Sequence, residues 1–350
     1  MSLPIYQRLP GIEAVLPSLG LAQLPTPVQN WEVDGQALLI KRDDLSNPLY
    51  GGNKVRKLDL ILAAAQARGT RRIVTFGGLG THHGLATALF CAKMGLDCEV
   101  LLFDQPITPA VQEGLRLLAG SGATLRHTGS VARTLATFYL HPRYRVPGVE
   151  RLFAGGSNHL GVLAFVNAAL ELQDQIAAGD CPRPAAVYCP VGSQSTFAGL
   201  CLGMALTENP IPVVGVRVAD AKLGPFAACD ESTVTALMRR TLRWLKGQGV
   251  NWPAGLPQLV MEHQWIGGGY GHPTEAAQQA SAAFAQAGAP ELDPTYTAKT
   301  AAAVLSASRR AAGPPVLYWH TLNSAVLSVP DDDQVTCALP DSCRPFLGAV

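Results

Sequence analysis

Residues 37–69 read ALLIKRDDLSNPLYGGNKVRKLDLILAAAQARG: a short apolar run, a turn containing two glycines, and a longer helical pattern. In the last part Val55, Leu58, Ile61, Leu62 and Ala65 recur at three- and four-residue spacing. That spacing lays them on one buried helix face and sets Lys54 at the helix start. The same order repeats outward from this stretch: RRIVTF before HGLATALFCAKMG, CEVLLF before TPAVQEGLRLLAG, AVYCPV before STFAGLCLGMALTE, and PVVGVRV before a helix around Thr233 to Gly247, with VLYWH near the end. Strands alternating with helices are the mark of βαβ units and a parallel sheet, so an α/β fold is expected over nearly the whole chain.

A chain of 350 residues with 48% hydrophobic content exceeds one ordinary domain, which leaves two lobes or one large α/β domain and excludes disorder as the main state. The 27 basic and 26 acidic side chains nearly cancel, so no field exists to recruit nucleic acid or anionic lipid, and the expected partner is a small molecule. The opening MSLPIYQRLPGIEAVLPSLG lacks the basic and unbroken apolar regions of an export signal, which makes a cytoplasmic location the expectation. The charge-free stretch Val187 to Thr207 is long enough to span a bilayer, but Pro190, Gly192 and the polar run Ser193 to Thr196 interrupt it. It reads as strand, polar loop and helix. The eight cysteines are scattered without a CxxC pair, mostly in apolar surroundings, and read as buried structural thiols; no metal site is expected.

Four segments place glycines beside hydroxyl or amide side chains between a strand and a helix. They are GGNKVRKL (51–58), GGLGTHHG (77–84), VGSQSTFAG (191–199), and a C-terminal set made of GGGYG (267–271), DPTYTAK (293–299) and YWHTLN (318–323). In an open parallel sheet such turns face one crevice, where helix N-termini offer free N–H groups to anions. The expectation is two anion cradles and one lysine in a single cleft. VGSQSTFAG suits a phosphate: Gly192 permits close approach, Ser193, Gln194, Ser195 and Thr196 donate, and no lysine makes it a nucleotide P-loop. A polar turn that merely caps a helix would look the same.

These segments resemble a family of pyridoxal 5′-phosphate (PLP) enzymes that contains 1-aminocyclopropane-1-carboxylate deaminase and D-cysteine desulfhydrase. The resemblance covers roughly residues 24 to 325, through KRDDL (41–45), GGNKVRKL, GGSNHLG (155–161), the GYG around Tyr270, and LDPTYTAK (292–299). It implies PLP fold type II, tryptophan synthase β-like, with two open twisted α/β lobes joined over a cleft. The large PLP-binding lobe would comprise 1–53 and 160–350, the small one 54–159, and the assembly would be a homodimer. Lys54 matches the lysine that condenses with the cofactor aldehyde and moves the substrate proton. Asn53 would support the ring or its phenolate oxygen, Gly192 to Thr196 would hold the phosphate, and Thr321 of HTLN would partner the pyridine nitrogen. Thr81 would hold the substrate carboxylate with the N–H groups beside it, and Tyr270 and Tyr296 would position the substrate amine and assist proton transfer. Asn158 is expected to be architectural.

Ring-opening deaminases carry a glutamate after the second tyrosine where this chain has Thr297, and His83 matches the desulfhydrase histidine, so the resemblance leans toward α,β-elimination from a small amino acid such as D-cysteine. It leaves open the 1-aminocyclopropane-1-carboxylate deaminase reaction, a racemase, a β-replacing synthase, or a PLP-binding relative without turnover. Gly80 and His82 stand in GLGTHHG where the family reads GxQSN, and Leu322-Asn323 replace the glycines of HTGG. His82 would sit near the phenolate oxygen, and the lost glycines would add bulk to the pocket. The adjacent His82 and His83 either cap and pack locally or accept a second anionic group on the substrate, such as a sulfonate or carboxylate. Neighbours on a helix diverge by about 100°, so they do not form a metal pair.

Overall fold

The computed structural model describes residues 2–223, 226–310 and 313–347. Its strands are β1 (Val28–Val33), β2 (Gln36–Arg42), β3 (Arg72–Gly78), β4 (Asp97–Phe103), β5 (Thr124–Gly129), β6 (Val149–Arg151), β7 (Val187–Val191), β8 (Val213–Arg217), β9 (Lys222–Leu223), β10 (Phe226–Ala227), β11 (Val260–Glu262) and β12 (Val316–His320). Its helices are α1 (Pro4–Arg8), α2 (Asn53–Ala67), α3 (His82–Lys93), α4 (Pro109–Ala119), α5 (Val131–Leu140), α6 (His159–Ala178), α7 (Ser195–Met204), α8 (Glu231–Gly247), α9 (Glu275–Gln286), α10 (Thr297–Arg310) and α11 (Asp332–Ala338). Two compact units result, Met1–Leu60 with Ser157–Ala325, and Ile61–Gly156 with Val326–Val350.

The larger unit holds a six-stranded sheet in the order β1-β2-β12-β7-β8-β11. Every pairing is parallel except that of β1 with β2. That hairpin turns at Asp34 and Gly35, both at positive φ, which is the demand of a two-residue turn between twisted strands. Strands β7 and β12 are buried along their whole length, as expected where helices cover both faces of a parallel sheet. The smaller unit has an all-parallel sheet in the order β5-β4-β3-β6, with Phe76, Leu101, Phe138 and Tyr144 in its core.

The division differs from the expected 1–53/160–350 and 54–159 in two ways. Helix α2 begins in the larger unit, so Lys54 belongs there, because the first turns of α2 are tied to that unit's own side chains. Arg56 makes a bidentate pair with Asp43 and reaches Glu171 of α6, and Asp59 accepts from Ser18 and from the Leu19 and Leu21 amides. The C-terminal residues 326–350 group instead with the smaller unit. There Asp332 pairs with Arg116 of α4, Gln112 donates to the Phe346 carbonyl, and the Phe346 ring meets the His127 ring edge-on at 5.6 Å.

The KRDDL string owes its composition to a buried ionic lattice. Lys41 donates to Glu171 at 2.6 Å and to the Thr26 carbonyl at 2.7 Å, Asp43 takes Arg56 and the Trp319 indole N–H, and Asp44 takes Arg42 and the Ser324 hydroxyl. Buried charges persist only when paired and hydrogen-bonded, and these pairs lock β2, α2, α6 and β12 to one another. Seven of the cysteines are buried and Cys337 is exposed. Among the described residues no helix is long and apolar enough to cross a membrane.

Candidate active site

Lys54 lies in the first turn of α2, where the chain passes too close to its neighbours for any side chain. A Cβ on Gly51 would collide with the Asp44 carbonyl, and one on Gly52, at φ +84°, would lie 2.6 Å from the Thr321 carbonyl oxygen. The Asn53 amide donates to that same oxygen at 3.3 Å. The glycine pair therefore lays the start of α2 directly against the end of β12.

From there a chain of polar contacts runs to the loop after β7. Lys54 Nζ donates to Asn53 Oδ1 at 2.7 Å, and Asn53 Nδ2 donates to Thr196 Oγ1 at 3.1 Å. Burial lowers the Lys54 amine to about 8, against the opposing pull of Asp293. An amine in that range has a far larger neutral fraction near physiological pH than an exposed lysine, and the neutral form is a competent nucleophile toward an aldehyde.

The loop itself is shaped for an anion. Gln194 stands at φ +71° and Ser195 opens the ten-residue helix α7, so the first-turn amides carry the positive end of the helix dipole. The Ser195 hydroxyl is fully buried and has no hydrogen-bond partner among the described residues. A buried, unsatisfied donor at a helix N-terminus is costly unless a ligand completes it, and the tetrahedral oxygens of a phosphate would. Ser157 of the GGSNHLG segment donates to the Ser193 carbonyl and braces the loop, while Asn158 caps α6 through the Gly161 amide, the architectural role expected for it.

The two tyrosines come together. Tyr270 and Tyr296 share a hydrogen bond of 2.6 Å, with their rings edge-to-face at 5.8 Å. A Cβ on Gly192 would lie 3.0 Å from the Tyr296 ring, so the tyrosine pair sits against the anion loop. Burial raises both hydroxyls; Tyr270 is eased by its bond to Tyr296, and Tyr296 is raised further by Tyr270. Both are held as neutral phenols.

Asp293 is a site residue that no motif of the sequence singles out. Its carboxylate accepts from the Thr295, Tyr296 and Thr297 amides and from the Thr297 hydroxyl, at 2.6–3.1 Å, which caps the start of α10. The DP that precedes TYTAK is the signal for such a cap, but it discloses nothing of the charge's reach to Lys54 and the tyrosines. Because the Thr297 hydroxyl is committed to this cap, its place after the second tyrosine serves the helix start. Thr321 is buried, and its hydroxyl makes no hydrogen bond within the described residues.

The Asn323 side chain folds back onto its own loop, accepting from the Gly51 amide at 2.5 Å and the Ala325 amide at 3.0 Å, and so steadies the glycine turn before Lys54. In the smaller unit His82 and His83 have different surroundings, and His83 follows the local-packing alternative. His82 is exposed, whereas His83 is buried against β3 with its Nε2 3.0 Å from the Thr75 hydroxyl. Thr81 caps α3 by accepting from the Gly84 amide at 3.1 Å.

A family model described as "Pyridoxal-phosphate dependent enzyme" matches residues 19–321. The chain belongs to this family of PLP enzymes. Similar proteins include the nocardicin C-9′ epimerase of Nocardia uniformis, 32% identical over 325 residues that cover 87% of this chain and 92% of that protein. A D-cysteine desulfhydrase of Klebsiella pneumoniae is 30% identical over 335 residues, covering 92% and 96%. A crystal structure of an ACC deaminase homologue superposes with a TM-score of 0.76 at 24% identity, covering 97% of this chain and all of that one. That likeness, with a threonine deaminase structure at TM-score 0.60, 18% identity and 87% and 94% coverage, establishes PLP fold type II, the tryptophan synthase β-like architecture. The protein is a PLP-dependent enzyme related to the 1-aminocyclopropane-1-carboxylate deaminase and D-cysteine desulfhydrase family.

Proposed function

We propose that this PLP enzyme catalyses α,β-elimination from a small amino acid, D-cysteine being the first substrate to test, with a 2-oxo acid and ammonia as products. The observation that carries the reading is the Lys54–Asn53–Thr196 chain beside the Tyr270–Tyr296 pair, with Thr321 as a free hydroxyl and no carboxylate offered at position 297.

When bound, PLP supplies an electron sink for the pair left by the broken Cα–H bond. Lys54 Nζ would hold the cofactor and is the base placed to take the α-proton. Asn53 would orient the substrate amine, with Thr196 orienting Asn53. Ser195, Thr196, the loop from Gly192 to Gln194 and the α7 amides would hold the phosphate, and Thr321 is the hydroxyl proposed for the ring nitrogen. The Tyr270–Tyr296 pair holds a proton at the phenolic oxygens for the departing group. In the smaller unit Thr81, the first turn of α3 and His82 are the groups proposed to recognise a carboxylate. With D-cysteine the C–S bond breaks, sulfide leaves, and hydrolysis releases pyruvate and ammonia.

The test is incubation of purified protein with D-cysteine, L-cysteine and 1-aminocyclopropane-1-carboxylate, assaying sulfide, pyruvate and 2-oxobutanoate. Sulfide and pyruvate in equal amounts from a cysteine support elimination, whereas 2-oxobutanoate from the cyclopropane would establish the deaminase reaction instead. The relative named as an epimerase favours a second reading, in which the same proton is returned to the opposite face of Cα. Loss of the α-hydrogen to D₂O with inverted configuration and no oxo acid would select it.

A further inference from the structure

Lys299 is fully buried, in the first turn of α10, with no acidic side chain in salt-bridge contact among the described residues. Lysines are almost never buried without a partner, so what this one holds needs an account. Its ammonium donates to two main-chain carbonyls, Ile266 at 2.7 Å and Gly269 at 3.1 Å. Those carbonyls bracket a turn in which Gly267 and Gly269 stand at φ +64° and +124°, and Gly271, at φ +78°, follows directly after Tyr270. Glycines in such conformations give up the most chain entropy when fixed, so this turn is poorly held by its own backbone.

The next residue after Gly269 is Tyr270, whose hydroxyl meets Tyr296 at 2.6 Å. Tyr296 lies three residues before Lys299 at the start of α10, so one helix supplies both the partner of Tyr270 and the clamp on its loop. We infer that Lys299 is a positioning residue whose ammonium, bound by the Ile266 and Gly269 carbonyls, fixes the glycine turn and thereby sets Tyr270 against Tyr296. This rests on the proposed role of the tyrosine pair for its effect on turnover, but the clamp itself does not. Burial lowers the Lys299 amine, and Asp220 and Asp293 oppose part of that shift.

The experiment combines amide hydrogen exchange of the holoenzyme with a double-mutant cycle on D-cysteine turnover. Lys299→Met keeps the volume and removes the charge; Lys299→Gln, able to reach one carbonyl, is the second variant. Exchange across residues 266–271 is expected to accelerate about tenfold in Lys299→Met and less in Lys299→Gln, with the rest of α10 unchanged and PLP affinity within about twofold. Turnover should fall about tenfold, and Lys299→Met combined with Tyr270→Phe should be no slower than Tyr270→Phe alone, as for residues acting through one another. Unchanged exchange at 266–271, or losses that multiply in the double variant, would overturn the inference. Accelerated exchange while Tyr270→Phe turns over normally would uphold the clamp and defeat the assigned role of the tyrosines.

Discussion

At the scale of single residues the site depends on how Lys54 and Ser195 are placed. A lysine whose amine is lowered from 10.5 to about 8 is neutral over a range where an exposed lysine is charged. The rate at which cofactor-free protein takes up pyridoxal phosphate should therefore rise with pH and level off above about 8. Stopped-flow absorbance across pH 6–10 checks it, and a rise continuing toward pH 10.5 would contradict the environment described for Lys54. Ser195→Ala removes a hydroxyl that only a ligand satisfies, so PLP affinity should weaken by about tenfold or more, the loss of a hydrogen bond to a charged group being about 1.5–3 kcal/mol. The stability of the cofactor-free protein should be unchanged or improved.

Glycines and hydroxyls in strand-to-helix turns marked Lys54, Asn53 and the 192–196 loop as candidates, but a helix cap leaves the same trace, and only the family resemblance set them apart. The sequence concealed Asp293, since an acidic helix cap and an acidic site residue leave the same trace. It left two alternatives open for His82 and His83, because adjacent histidines are alike in one dimension and diverge on a helix, one exposed and one turned to Thr75.

At the scale of elements, the ionic lattice joining β2, α2, α6 and β12 explains why a charged string, KRDDL, ends a buried strand. Glu171 is central to it: burial alone would raise its carboxyl, but Arg56 and Lys41 bring it down to about 2. A carboxylate depressed on folding stabilises above its unfolded value near 4.5, and that contribution is lost as pH falls from there toward 2. Thermal unfolding from pH 6 to pH 2 should show this loss in the wild type and not in Glu171→Gln. At neutral pH the same variant, by removing the carboxylate that pairs with Lys41 and one of the two that pair with Arg56, should cost about 3–5 kcal/mol. Equal stability of the two proteins at pH 6 would show that the lattice contributes nothing.

The strand-helix alternation that announced these elements was plain from apolar periodicity. The antiparallel strand β1 was not, since VQNWEV is half polar and lies at the sheet edge.

For the whole molecule, fold type II was readable from the motifs, but the division of the chain was not. Lys54 lies in a helix that crosses from one unit to the other, and the closing residues 326–350 carry no periodic pattern that reveals their attachment to α4 through Asp332 and Phe346. Attachments of this kind are made by single side chains and backbone groups, which spacing does not record. The resemblance that suggested a homodimer leads to the expectation of twice the chain mass in solution, which light scattering on the purified protein measures directly.

The central claim is that Lys54, and not one of the buried lysines at 41, 57 and 299, is the residue that holds the cofactor. Borohydride reduction of the yellow protein, followed by proteolysis and mass spectrometry, tests it most directly. The account predicts a phosphopyridoxyl group on the peptide containing Lys54, at that residue alone, and loss of the visible absorption band in Lys54→Ala. A label on Lys57 or another lysine, or a band that survives the substitution, would contradict it.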